Sequence, residues 1–164
     1  MDNQENGCLM GCSCSPDGAG GVEHDLEIDG WMTGIVRGHA YSISKVFEIP
    51  DPDMENPRKT HRLLLIRNPW GSKEWLGDWS GAEDDEKLNK HMDKIKDFIE
   101  ELEEDERFDP FADDGLFFMN FKSFRMCFDK MFVALNFPDE WNAVRYQCSW
   151  KPNVGGLPIK GTAA

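Results

Sequence analysis

Arg67-Asn68-Pro69-Trp70-Gly71-Ser72-Lys73-Glu74-Trp75-Leu76-Gly77-Asp78-Trp79 is the stretch on which the reading of this sequence turns. Pro69 and two glycines break any helical or strand periodicity, yet three tryptophans demand burial. The combination predicts a loop ordered by packing, and ordered loops on a rigid scaffold are where function concentrates. Just upstream, Leu63-Leu64-Leu65-Ile66 reads as a short strand. Further back, Ile35 to Ile49 carries Tyr41, Ile43, Val46, Phe47 and Ile49 in a β-like pattern. Pro50-Asp51-Pro52-Asp53 and Asn56-Pro57 demand a loop between the two runs, so the simplest assembly is an antiparallel pair.

Downstream, Ser80-Gly81-Ala82-Glu83 has the form of a capping box. Leu88, Met92, Ile95, Phe98 or Ile99, and Leu102 follow at helical spacing, predicting one amphipathic helix over about residues 82–105. The acidic run from Glu100 to Glu106 sits where the helix dipole prefers cations, so that end should fray. After Asp109-Pro110 the pattern predicts a strand at Leu116 to Met119, a short helix near 122–128 and a strand at 131–135. Residues from Trp141 onward read as the opening strands of a further unit. Residues 1 to about 30 read as a short strand around Cys8 to Ser13 followed by a flexible loop, marked by Ser15-Pro16-Asp17-Gly18 and Gly20-Gly21.

The composition bounds the function. With 164 residues, 40% apolar and 30% charged, and with eleven Phe and six Trp, the chain has core material for one globular domain. A formal net charge of −13 without a basic cluster repels phosphate backbones and anionic lipid heads, which argues against nucleic acid and membrane surfaces as partners. No apolar run approaches the length of a membrane span, and the polar start Met1-Asp2-Asn3-Gln4-Glu5-Asn6 is unlike a signal peptide, so the expected compartment is the cytoplasm. Five cysteines, at 8, 12, 14, 127 and 148, are an odd number, and reduced thiols are the simpler reading. Cys8, Cys12 and Cys14 with His24 would form a partial zinc site, but the spacing matches no standard knuckle.

A lone histidine in a strand is ordinarily a structural hydrogen-bonder, and it is the neighbours of His39 that change this. Gly38-His39-Ala40-Tyr41-Ser42, followed by Arg67-Asn68-Pro69-Trp70-Gly71 with Glu74-Trp75 and Gly77-Asp78-Trp79 beyond, resembles the His and Asn motifs of papain-like cysteine proteases. The Asn-Pro-Trp-Gly form resembles the calpain branch in particular. Gly7-Cys8-Leu9-Met10-Gly11-Cys12-Ser13 is similar to the strand that opens the second calpain catalytic lobe, and Asp114-Gly115-Leu116-Phe117-Phe118-Met119 to its Asp-Gly-Glu-Phe-Trp-Met strand. The resemblance covers roughly residues 7 to 136. It implies an α+β, β-rich fold: the second lobe of a papain-like protease, built of antiparallel, barrel-like sheets, with an inserted acidic helix. Residues 1–136 would be that lobe, and 137–164 a linker with the first strands of a β-sandwich domain.

The resemblance also implies roles. A thiol attacks only as thiolate, and an imidazole beside it lowers its pKa and later protonates the leaving amine. His39 would be that imidazole. Asn68 would accept from its second nitrogen and fix orientation and tautomer, and Trp70 would shield that bond from water. If His39 opens one strand of the pair and Asn68 ends the other, the two meet at one rim. Trp75 and Trp79 are read as core. The nucleophile is missing: 38 residues precede His39, and none reads as Gln-Gly…Gly-Asp-Cys-Trp. The implied partners are therefore a first catalytic lobe carrying the cysteine, and protein substrates, with the fragment inactive by itself. The alternative is a calpain-like binding or scaffolding protein that has lost its nucleophile. An acidic interaction protein docking through the 82–105 helix is a third class, which would require an exposed apolar stripe.

Calcium is implied on two loops of such a lobe. Glu74 and Asp114 match, whereas Gly81 stands where an Asp is typical and Leu116 replaces the Glu, which removes two side-chain ligands. Asp113 or Glu83 could replace them, but in so acidic a protein the simpler reading of both is as surface carboxylates. Asp51-x-Asp53-x-Glu55 begins like an EF-hand, but Asn56 replaces the required Gly and Arg62 the closing Glu.

Overall fold

The computed structural model describes residues 7–17, 21–50, 60–82 and 84–134. Seven strands run as β1 (Leu9–Ser13), β2 (His24–Ile28), β3 (Trp31–Arg37), β4 (Ala40–Pro50), β5 (Thr60–Arg67), β6 (Leu116–Asn120) and β7 (Lys130–Ala134). Between β5 and β6 lie α1 (Glu86–Lys90), α2 (Met92–Glu100) and a 3-10 turn (Glu104–Glu106), and α3 (Phe121–Cys127) joins β6 to β7.

Five strands form one antiparallel sheet in the order β6-β5-β4-β1-β7, and β2 pairs with β3 in a separate hairpin. The α+β, β-rich class holds. The expected barrel does not, because β6 and β7 end the sheet on opposite edges and the described strands do not close.

The apolar run Leu63–Ile66 follows from the sheet's position, since a central strand covered on both faces buries successive residues. Leu64 and Ile66 join Tyr41, Ile43, Phe117, Met119 and α3 in one core. Leu63 and Leu65 join Phe47, Ile49, Phe118 and Trp79 in the other, under Leu88 and Ile95 of α1 and α2. Along β4 the odd-numbered residues change face. Tyr41 and Ile43 enter the first core while Phe47 and Ile49 enter the second, because the pairing with β5 shifts register between Ile43 and Lys45. A bulge of this kind turns every later side chain over.

Two expectations are corrected. The single helix over 82–105 is broken at His91, whose backbone leaves helical values (φ −108, ψ 15) and whose N–H bonds Leu88 O. Its ring Nδ1 lies 2.9 Å from Lys87 O, drawing that carbonyl out of the helical ladder. The helix is capped by Asp85, which accepts from Lys87 N and Leu88 N, and not by a Ser80 box. The stripe is covered all the same, with Leu88 and Ile95 fully buried, so the helix offers no bare docking face of the third class. Second, the stretch taken as a loop to residue 30 contains β2. It turns into β3 through Asp29 (φ 53) and Gly30 (φ 80), the pair of positive angles that a tight hairpin requires.

No helix among the described residues is long and apolar enough to cross a membrane. The expected linker and β-sandwich strands over 137–164, the turn at 51–59, the EF-hand-like Asp51 to Glu55, Glu83 and Cys148 lie outside the described residues.

Candidate active site

His39 stands immediately before β4 and Asn68 immediately after β5. Ser42 pairs with Arg67, so antiparallel register brings the start of one strand to the end of the other. Gly38, at φ 75 with its N–H on Cys14 O (2.7 Å), makes the sharp entry from β3 that a side chain would strain.

The two side chains meet there. His39 Nε2 is 2.9 Å from Asn68 Oδ1. Asn68 is completely buried and His39 is 6% exposed. The carboxamide cannot turn over, because its Nδ2 donates to Ser72 O (2.7 Å) and Lys73 O (3.0 Å) while Oδ1 also accepts from Trp70 N (3.1 Å). The loop that looked irregular in sequence is therefore a cradle of main-chain groups for one amide.

Aromatic rings complete the site. Trp70 lies with its ring 4.1 Å from the His39 ring, tilted by 38°, and is 47% exposed, so one side covers the imidazole and the other faces solvent. Tyr41 meets His39 edge-on at 5.0 Å. Its hydroxyl accepts from Val36 N, and burial pushes the phenol up to about 12 in spite of that bond. Trp75 and Trp79 are buried in the two cores, as their sequence context suggested.

On its other edge His39 meets a residue that sequence reasoning missed. Nδ1 is 2.9 Å from Oε1 of Glu23, a residue just before β2 in the stretch read as a loop. No spacing pattern singles out Glu23; its position follows from the unforeseen β2–β3 hairpin.

The thiols do other work. Burial pushes Cys12 and Cys127 up to about 12 and raises Cys14, which keeps all three protonated, uncharged packing groups at neutral pH. Cys12 and Cys14 belong to the first core, whereas His24 lies on the hairpin beside Asp17, so the zinc reading has no assembled ligand set.

Glu74 and Asp114 are brought together, but as hydrogen-bond partners. Glu74 Oε1 accepts from Asp114 N (3.0 Å) and Gly115 N (2.6 Å), and Asp114 Oδ1 accepts from Leu116 N (3.0 Å). Gly81 has φ 88 and its missing side chain would run into Pro110 O, and Leu116 packs against the second core. Among the described residues no three His, Cys, Asp or Glu side chains are grouped to hold a metal ion.

A family model described as calpain family cysteine protease matches residues 1–135. Calpain-B of Drosophila melanogaster is 36% identical over 169 residues, covering 94% of this chain and 16% of that protein. Calpain-A of the same organism is 31% identical over 165 residues, covering 92% of this chain and 18% of the relative. Calpain-9 of Mus musculus is 30% identical over 155 residues, covering 89% and 19% respectively. The chain spans less than a fifth of the length of these relatives.

Proposed function

Because this chain belongs to the calpain family of cysteine proteases, we propose that it supplies the imidazole and carboxamide of a thiol endopeptidase whose nucleophilic cysteine sits on a separate lobe. The observation that carries this reading is the 2.9 Å contact between His39 Nε2 and an Asn68 amide whose orientation is fixed from behind.

In this reading, Nδ1 of His39 faces the incoming thiol and the two share a proton as a thiolate–imidazolium pair. The thiolate attacks the scissile carbonyl of a protein substrate, and the imidazolium returns the proton to the departing amine. His39 then takes a proton from water as the acyl-enzyme is hydrolysed. Asn68 keeps Nε2–H in place throughout, so the ring need not reorient between steps. Trp70 limits water at that bond and so strengthens it. Four free thiols among the described residues suit a reducing compartment such as the cytoplasm. No step is assigned to calcium; one oxygen of Glu74 and one of Asp114 accept from backbone amides. The segment after residue 136 is assigned to the start of the following domain. The alternative, a calpain-like scaffold without a nucleophile, leaves a fixed His–Asn pair with no chemical purpose.

The test is complementation. The purified chain alone, with thiol reductant, should not hydrolyse a generic peptide substrate. Joined to a calpain-type first lobe bearing the cysteine it should, and His39→Ala should abolish the turnover. Turnover that survives His39→Ala rejects the assignment.

A further inference from the structure

We propose that Glu23 is a built-in counter-ion for His39: its carboxylate occupies Nδ1, the nitrogen an incoming thiol needs, and gives that nitrogen up when the thiolate arrives. This rests on the proposed role of His39 as the thiol's partner and concerns how that same site is kept before a thiol is beside it.

A count of protons leads there. Asn68 Nδ2 is fixed on two carbonyls, so the atom facing His39 Nε2 is the carboxamide oxygen, which can only accept. Nε2 therefore carries hydrogen. On the opposite edge an ionised carboxylate also only accepts. The 2.9 Å contact between Nδ1 and Glu23 Oε1 then requires a proton between them, either on an imidazolium facing a carboxylate or on a carboxyl group facing a neutral ring. The ring cannot escape by turning, since Trp70 and Tyr41 hold it from two sides.

A charged ring this deeply buried needs an anion next to it. The neighbouring acids are engaged elsewhere: Asp17 with Arg37 at 2.9 Å and Asp25 with Lys73 at 2.8 Å. Glu23 is the acid that faces His39. In a thiol protease the thiolate supplies both that charge and that contact, and two groups cannot hold one nitrogen. The partners differ in freedom. His39 and Asn68 are set into the sheet rim, whereas the Glu23 side chain is 44% exposed and leaves from a segment ahead of β2. The arriving thiol loses its proton to water as the carboxylate is displaced, so one anion replaces another and the ring's protons stay where they are. The contact thus preorganises the imidazole and blocks it at once.

Nitrogen-15 NMR of the imidazole in the purified chain at neutral pH tests this. Both ring nitrogens of His39 should show proton-bearing signals. Glu23→Gln, a change at a half-exposed site, should leave Nε2 unchanged and convert Nδ1 to the unprotonated type, since the new amide can donate to it. Carbethoxylation of His39 should then become several-fold faster. An Nδ1 without a proton in the native chain, or the same Nδ1 signal in Glu23→Gln, overturns the proposal. The reading of the pair fails separately: a native Nε2 without hydrogen, or an Nε2 signal untouched by Asn68→Ala, counts against the His39–Asn68 assignment and not against Glu23.

Discussion

Glu74 holds the turn at Gly115 from a different loop, 41 residues earlier, through a 2.6 Å bond from the Gly115 amide to its Oε1. The same Gly115 gives its carbonyl to Asn68 N at 2.7 Å. A short chain of bonds therefore runs from the Glu74 carboxylate through one turn to the backbone of Asn68, whose carboxamide oxygen meets His39. Gly115 has no alternative there, because it sits at φ 86 and a Cβ would lie 2.6 Å from Asn68 O.

Removing the Glu74 latch should loosen this rim. Glu74→Ala leaves two amides without an acceptor and should cost about 1–3 kcal/mol in urea unfolding. Glu74→Gln keeps an acceptor oxygen and should cost less. The pH dependence has a definite sign. Burial raises the Glu74 pKa above 4.5, against the lowering by its Gly115 bond, so the folded state binds the proton more tightly than the unfolded chain. Stability of the native chain relative to Glu74→Gln should rise as pH falls through the raised pKa and level off below 4.5. A difference that grows with pH would contradict burial as the dominant cause.

Asn68→Ala should be among the most destabilising single changes. It strands two carbonyls and the Trp70 amide in a buried loop and should cost roughly 3 kcal/mol by chemical denaturation. Amide exchange should quicken at Trp70 before it does in β5. A near-neutral effect would mean that the 68–73 loop is ordered by its tryptophans alone.

The antiparallel pair, the aromatic loop and the meeting of His39 with Asn68 are legible in sequence because each is local or fixed by one pairing. Leu63–Ile66 is apolar enough to be a strand in any context, and a strand pair places its own ends. The hairpin at 24–37 was harder to see. Leu26 and Ile28 alternate with Asp25 and Glu27, a period-two signal hidden beside glycines and turn residues. Glu23 depends on that hairpin and was invisible with it. The break at His91 has no Pro or Gly to announce it; a side-chain bond to Lys87 O makes it. The open sheet could not be told from a barrel, since alternation along strands is the same in both and only the order of strands differs.

The thiols offer a labelling experiment. Cys12 and Cys127, pushed up to about 12 by burial, should resist iodoacetamide in the native chain at neutral pH and react once it is unfolded. Among the described cysteines, half-buried Cys8 should label first. Rapid native labelling of Cys12 would mean that β1 opens, since its backbone pairs with both β4 and β7.

The acidic segment between β5 and β6 looks in sequence like a removable insertion, and its packing argues otherwise. Leu88 and Ile95 are fully buried in one cluster with Phe47, Leu63, Leu65 and Phe118, with Phe98 stacked on Phe47 at 4.0 Å. Together with Trp79 and Phe108 they cover the second face of the sheet. Leu88→Ala should therefore cost about 2–5 kcal/mol, as truncation of a fully buried leucine does when its surroundings cannot collapse. Charge changes on the solvent side, such as Glu101→Gln, should fall within about 0.5 kcal/mol. Deleting residues 84–106 should leave a strand face of Phe and Leu exposed to water and give an aggregating chain in place of a shorter folded lobe. Size-exclusion chromatography and thermal unfolding of the deletion separate the two outcomes: a soluble, cooperatively folding monomer would show that the helices decorate the lobe instead of completing its core.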